Sequence, residues 1–130
     1  MLLKVKVLFY NKEKGGRLNP VQNGYRASIV FGLGKIANKN KGILNEQELK
    51  VTRNSAGILN FDNEHIITLE QEKICNLKFT IYDERIRVHF IEKEKFIIME
   101  PPKIVGIGEI IEVIEDTPSW QVSDNGDIIR

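Results

Sequence analysis

The chain has 130 residues, of which 42% are hydrophobic and 28% are charged, and its formal net charge is +1. This composition is ordinary for one globular domain with an apolar core, and no apolar run reaches the length of a membrane-spanning helix. A single cysteine, Cys75, excludes an internal disulfide framework and a cysteine-based zinc site. Lys4 and Lys6 interrupt the first apolar stretch too early for a signal peptide, so we expect a cytoplasmic protein without a membrane partner.

The charges are distributed unevenly along the chain. Residues 1–53 contain 11 basic and 3 acidic side chains, a net charge of +8, whereas residues 54–130 carry −7. A basic segment of this kind favours a phosphate-bearing or acidic partner. The alternative is that the two halves interleave in a closed sheet, so that their charges face each other across neighbouring strands.

Two predicted strands flank a long loop near the N-terminus. Apolar residues alternate with polar ones from Leu2 to Tyr10, which predicts the first strand, and Tyr25 to Phe31 predicts the second. Residues 15–26, GGRLNPVQNGYR, lie between them and are called the GGR loop below. Because this stretch contains three glycines, a proline and two asparagines, we expect neither a strand nor a helix inside it.

The middle of the chain is less regular. Residues 35–42, KIANKNKG, predict a polar and basic loop. Residues 43–53 fit either a short helix, capped by Asn45 with Glu48 three residues later, or a strand from Glu48 to Thr52. We expect residues 54–63 to be a loop around their single glycine.

Five further strands are predicted from alternating apolar residues in the second half. They cover residues 65–70, 74–82, 85–91, 96–99 and 103–114. The alternation is cleanest in residues 85–91, and the last two strands form a hairpin around Pro101-Pro102. Many short strands with polar turns and few helical signals predict an all-β barrel.

Two of these regions carry a resemblance to a known family. Gly15–Arg17, Pro20 and Gly24–Arg26, preceded by the charged residues 11–14, resemble the opening of the C-terminal β-barrel domain of bacterial elongation factor Tu. Residues 96–108 are similar to the last hairpin of the same domain, in which FIIME, two turn residues and KI precede the strand VGIG. The resemblance implies a closed antiparallel Greek-key barrel of six to seven strands.

We expect residues 1–116 to form this barrel and residues 117–130 to be an additional tail. Asn125-Gly126 favours a tight type I′ turn, which predicts a hairpin within the tail. An isolated hairpin is only marginally stable in water, so we expect it to dock on the barrel or on a partner through Trp120.

The sequence contains no motif for nucleotide binding or catalysis. The phosphate-binding pattern GxxxxGK[ST], a dinucleotide fingerprint, HExxH and a nucleophile elbow are all absent. We therefore expect no cofactor, no nucleotide, no metal and no enzyme activity. The remaining catalytic candidate is Cys75 with His65 or His89, and the alternative role for this cysteine is that of a small apolar residue in a strand.

Arg17 is the most informative candidate for a binding residue. A loop arginine can bind a carboxylate or a phosphate through two parallel hydrogen bonds, or it can hold its own loop by donating to backbone carbonyls. The resemblance implies a barrel that contacts tRNA, and the glutamate that precedes the last turn in that family is Glu100 here.

The sequence thus predicts a non-catalytic module that binds RNA, possibly tRNA, or a translation-associated protein. An alternative is a module that binds protein only, such as a competitor, antitoxin or immunity-type protein that mimics the elongation factor barrel. The candidate binding residues are Arg17, Tyr25, Arg26, Lys35, Lys39, Lys41, Glu100 and Lys103.

Overall fold

A computed structural model of the chain describes residues 1–32, 42–43, 45–61, 66–79, 84–115, 121–122 and 128–129. In these ranges the strands are β1 (Leu2–Phe9), β2 (Val21–Gln22), β3 (Tyr25–Phe31), β4 (Gly42–Ile43), β5 (Arg53–Asn60), β6 (Ile66–Ile67), β7 (Lys73–Phe79), β8 (Lys95–Glu100), β9 (Lys103–Glu115), β10 (Gln121–Val122) and β11 (Ile128–Ile129). The helices are α1 (Glu46–Val51), α2 (Glu84–Arg87) and a short 3-10 helix at Lys12–Lys14. None of the helices in these ranges is long and apolar enough to span a membrane.

Six of the strands close into an antiparallel barrel. Their order around the barrel is β1, β7, β5, β3, β8 and β9, and the pairing of β9 with β1 closes the ring. β4 adds a seventh strand by pairing with the start of β9. The predicted all-β barrel is therefore confirmed. β1 illustrates why the sequence forms a barrel. Half-buried and buried residues alternate along the whole strand, so that one face lines the interior and the other faces outward.

The interior of the barrel is filled by aromatic and branched aliphatic side chains. Phe9, Phe31 and Phe96 are the largest of the fully buried residues. β8 differs from the other strands because four consecutive residues, Phe96–Met99, are buried. Its other face contributes to a second apolar cluster, which consists of Tyr10, Val30, Ile97, Met99 and Ile104. Both faces of β8 are therefore covered.

The hairpin of β8 and β9 lies where the sequence predicts it, around Pro101-Pro102, whose peptide bond is cis. The two glycines of its VGIG motif are required by close packing. A Cβ atom on Gly108 would lie 2.2 Å from Cζ of Phe96, and one on Gly106 would lie 2.7 Å from the carbonyl oxygen of Leu8. The two glycines thus allow an aromatic ring and the neighbouring strand to approach the backbone closely.

The expectation of a loop at residues 54–63 is wrong, because β5 runs through most of this stretch. β5 lies in the barrel between β3 and β7, and Gly57 stands opposite Ala27 on one side and Phe79 on the other. A Cβ atom on Gly57 would lie 2.6 Å from Cδ1 of Leu77. Small residues that weaken the local strand signal are thus required by large side chains on the neighbouring strands.

The strand predicted for residues 85–91 is also wrong. The chain forms the single helical turn α2 and then a hydrogen-bonded turn. Ile86 is fully buried and Phe90 is half-buried against the rings of Phe31 and Phe79, whereas Val88 is 68% exposed. Residues four apart lie on the same side of a helical turn, so the pair Ile86 and Phe90 satisfies helical spacing as well as strand alternation.

The surroundings of the GGR loop differ from the prediction in two respects. The strand predicted for residues 65–70 is limited to β6 in the described part of the chain. β6 pairs with β2, which lies inside the GGR loop although we expected no strand there. The loop is thus partly ordered by a two-stranded sheet outside the barrel.

The helical alternative for residues 43–53 is confirmed by α1. Asn45 accepts a hydrogen bond from the backbone N–H of Glu48, and the Glu48 side chain accepts one from the backbone N–H of Asn45. In the described part of the tail, β10 pairs antiparallel with β11, as a hairpin requires, and the predicted turn at Asn125-Gly126 lies outside the described residues. Trp120 lies outside the described residues, so the docking of the hairpin stays a prediction.

Candidate binding site at the GGR loop

Glu70 holds the segment that leads into the GGR loop. Its two carboxylate oxygens accept hydrogen bonds from the backbone N–H of Asn11, at 2.9 Å, and from Nζ of Lys14, at 3.0 Å. Its own backbone N–H donates to the carbonyl of Phe9. Asn11 also caps the 3-10 helix by accepting from the N–H of Lys14. These contacts fix the direction in which the chain leaves β1.

The two glycines of the loop have different structural roles. Gly15 has φ +85°, in the left-handed region that favours glycine, and a Cβ atom there would meet nothing within 4 Å. A Cβ atom on Gly16 would lie 2.0 Å from the carbonyl oxygen of Tyr10. The N–H of Gly16 donates to Asn11 and that of Arg17 donates to Tyr10, so the loop folds back tightly on the end of β1.

The guanidinium group of Arg17 is held by other residues of the GGR loop and by the β8–β9 hairpin. Nε donates to the carbonyl of Asn19 at 3.1 Å, and the guanidinium carbon lies 4.8 Å from the centre of the Tyr25 ring. The guanidinium also forms an ion pair with Glu100, whose carboxylate accepts a hydrogen bond from the hydroxyl of Tyr25. The interpretation that Arg17 holds its own loop is therefore confirmed, and the ion pair extends that role to the hairpin of β8 and β9.

Tyr25 is the packing centre of this cluster. Its ring meets the ring of Phe9 edge to face, at 5.6 Å between centroids. Burial raises the pKa of Tyr25 well above its usual value, and the hydrogen bond to Glu100 raises it further, whereas the charge of Arg17 opposes this shift. The phenol therefore stays protonated and donates to Glu100 at neutral pH.

Lys103 completes the cluster from the other side of the Pro101-Pro102 turn. Its Nζ donates to the carbonyl of Gly16 at 2.7 Å, and Lys103 stands opposite Glu100 in the register of β8 and β9. The structure thus brings together four candidate residues that are far apart in the sequence: Arg17, Tyr25, Glu100 and Lys103.

The other candidate residues lie elsewhere. Arg26 is exposed on β3, opposite Ile58 of β5. Lys35, Lys39 and Lys41 fall outside the described residues.

A shallow cleft lies beside this cluster and has a volume of about 380 Å³. It is lined by Arg17, Asn19, Pro20, Gln22, Asn23, Gly24 and Tyr25. Asn23 is partly engaged, since its Oδ1 accepts from the backbone N–H of Phe61. Leu18, next to Arg17, is 72% exposed, the largest value among the exposed large apolar residues of the described chain. The loop therefore presents a polar cleft beside an apolar side chain.

Ion pairs join the basic first half of the chain to its acidic second half. Lys6 lies 3.8 Å from Glu109 and 4.0 Å from Glu72, and Lys14 pairs with Glu70. Each of these pairs, like that of Arg17, joins a basic residue of the first half to an acidic residue of the second. The prediction that the two halves interleave is confirmed for these residues.

Cys75 lies in β7 and is 5% exposed. Burial raises its pKa to about 12, so the thiolate that a nucleophile requires is disfavoured. His89 is half-buried, stacks on Phe31 and lies 2.7 Å from Oε1 of Glu94 through Nδ1. His65 falls outside the described residues. In the described part of the chain, no three His, Cys, Asp or Glu side chains are grouped so that they could hold a metal ion.

Sequence reasoning missed Glu70 as a residue of the site. It stands 59 positions from Asn11, and no local pattern marks it. No family model and no curated protein match the chain. The resemblance to the elongation factor barrel therefore rests on the two motifs of the GGR loop and the β8–β9 hairpin.

Proposed function

We propose that the protein is a non-catalytic binding module that docks a protein partner on the GGR loop. The supporting observation is that Glu100 and Lys103 bond to the loop while Leu18 remains 72% exposed at its surface. A loop that is ordered before binding loses little conformational entropy on association, which favours affinity. A link to translation is part of the proposal and rests on the resemblance.

The electrostatics of the loop favour protein over RNA as the partner. Arg17 is paired with Glu100, and Lys103 donates to the loop backbone. Binding to nucleic acid depends on cations that can neutralise phosphates. A cleft with amide side chains next to an apolar residue is more typical of a protein contact, in which polar groups surround an apolar anchor.

The test compares two substitutions of exposed apolar residues. Leu18→Asp changes the GGR loop, and Val88→Asp is the matched control, because Val88 is 68% exposed in the turn after α2. We expect the tagged wild-type chain, treated with nuclease, to recover a partner protein in stoichiometric amount from its native cell extract. Val88→Asp should recover the same protein and Leu18→Asp should lose it. Equal recovery by both variants would exclude the GGR loop as the docking surface.

RNA is the second candidate partner, and the exposed Arg26 beside Tyr25 is the observation that favours it. In this case nuclease removes the recovered material, and RNA is enriched without it. Neutralising Arg26, Lys39 and Lys41 together should then weaken RNA binding and reduce its dependence on salt. Unchanged binding and salt dependence would reject this candidate.

A further inference from the structure

The last third of β9 has one neighbouring strand where the first part has two. From Gly106 to Glu109, β9 pairs with β8 on one side and with β1 on the other, and its first two residues pair with β8 and β4. On the β8 side the backbone hydrogen bonds end at Ile110, which bonds with the turn that precedes β8. On the β1 side the pairing continues to Glu115. In the described part of the chain, the other backbone edge of Ile111–Glu115 has no strand beside it.

β9 has two β-bulges against β1, and each places one isoleucine of this edge segment at a bulge position. Ile111 and Ile114 have no counterpart on β1, because the register shifts by one residue at each of them. Ile111 is 36% exposed and Ile114 is 47% exposed. Edge strands of soluble proteins are often protected from pairing with another chain by charged side chains, above all lysine, by proline or by β-bulges. The segment IEVIE has two bulges and no lysine or proline, and its two charged residues are glutamates, which repel an acidic strand but attract a basic one.

The polar residues of the same segment are acidic. Glu112 and Glu115 are both exposed. The strand that already pairs with the other edge, β1, places Lys4 opposite Glu112 and Lys6 within 3.8 Å of Glu109. β1 thus illustrates the chemistry that complements β9, namely a strand in which lysines alternate with apolar residues.

We propose that Ile111–Glu115 is a docking edge for an extended segment of a partner protein in which basic residues alternate with apolar ones. The backbone of that segment continues the sheet, its basic side chains face Glu112 and Glu115, and its apolar ones pack on Ile111 and Ile114. The edge begins eight residues after Lys103, roughly 26 Å along the strand at ~3.3 Å per residue. This surface is separate from the GGR loop and does not depend on the function proposed for it.

The test is an NMR titration of the full isotope-labelled chain with a synthetic peptide in which lysine alternates with valine and threonine. We expect the amide signals of residues 111–115 to shift while those of the GGR loop stay in place. The same peptide with N-methyl groups on alternate amides, and a second peptide with glutamate in place of lysine, should each bind about tenfold more weakly or not at all.

A double charge reversal gives the complementary result. E112K/E115K should lose about tenfold in affinity for the lysine peptide and gain affinity for the glutamate peptide. The matched control is E13K/E72K, which reverses two exposed glutamates outside this edge. It should bind the lysine peptide like the wild type, and thermal unfolding should show that both variants are folded.

Several outcomes would overturn the proposal. Equal binding of the N-methylated peptide would mean charge attraction without strand pairing, and unchanged binding by E112K/E115K would place the peptide elsewhere. Shifts of residues 111–115 with protein concentration alone would assign the edge to a second copy of the chain. Contacts between these residues and the tail in the free chain would assign it to the chain's own hairpin.

Discussion

At the scale of single residues, two glutamates from the acidic half of the chain organise a loop from the basic half. Glu70 bonds Asn11 and Lys14 on the approach to the GGR loop, and Glu100 bonds Arg17 and Tyr25 within it. A carboxylate suits this task because its two oxygens can accept several hydrogen bonds from different donors. The resulting order in the loop follows from these long-range bonds rather than from the propensities of the loop residues.

Cys75 leads to a prediction about alkaline pH. Its pKa is raised to about 12 in the folded chain by burial, so above its ordinary value near 9 the unfolded chain binds fewer protons than the folded one. Stability is fully present below pH 9 and falls as the pH rises toward 12. Between about pH 9 and pH 10 we expect a loss on the order of 1 kcal/mol from this thiol.

The measurement is urea unfolding of the wild type and of Cys75→Ala at several pH values. The free energy of unfolding should fall less steeply with pH in the variant, because its alanine cannot ionise. Parallel pH profiles of the two proteins would contradict this assignment. Tyr25, whose pKa is also raised, contributes a similar loss at still higher pH in both proteins.

At the scale of elements, the shape of the GGR loop depends on two adjacent glycines. Each of them is needed for a different structural reason. We expect Gly15→Ala to cost about 1–2 kcal/mol, because only φ is unfavourable and the space is open. Gly16→Ala should cost more, because its Cβ would meet the carbonyl of Tyr10 and the bonds of Gly16 and Arg17 would have to break.

Urea unfolding and amide NMR spectra of the two variants check this pair. Gly15→Ala should keep the signals of Arg17 and Tyr25 nearly unchanged, whereas Gly16→Ala should shift them. If Gly15→Ala were the more disruptive of the two, the close approach to Tyr10 would not control the loop.

At the scale of the whole molecule, the barrel is held by pairings between distant parts of the chain. β1 pairs with β7 and β9, so the first strand is stable only when the second half of the chain has folded. α1 is a six-residue excursion, and β2 with β6 forms a small separate sheet. Short elements with few packed neighbours open more easily than a closed barrel.

We therefore expect the backbone amides to fall into two classes of hydrogen-exchange rate. Amides in the six barrel strands should exchange together, through global unfolding, and those of α1, β2 and β6 should exchange faster. The test is native-state exchange at increasing urea concentration, in which the barrel amides should converge on one unfolding free energy. Faster exchange of β1 than of α1 would contradict a barrel closed by its first strand.

Most of the barrel follows from local patterns in the sequence. Alternating burial marks β1, the prolines mark the β8–β9 turn, and the pair Asn45 and Glu48 marks the start of α1. These signals are local, because side-chain alternation, proline geometry and helix capping each depend on neighbouring residues only. The sequence also selected Arg17, Tyr25, Glu100 and Lys103 as candidates, although not their mutual contacts.

The identity of β5 and α2 and the role of Glu70 depend on contacts that form only in the folded chain. Gly57 weakens the strand signal of β5 locally but fits the space left by Leu77 and Ile29 on neighbouring strands. Ile86 and Phe90 satisfy two periodicities at once, and packing against the barrel selects the helical one. Glu70 accepts a hydrogen bond from a residue that is 59 positions away in the sequence. Such choices depend on which side chains meet after the barrel closes, so no local pattern contains them.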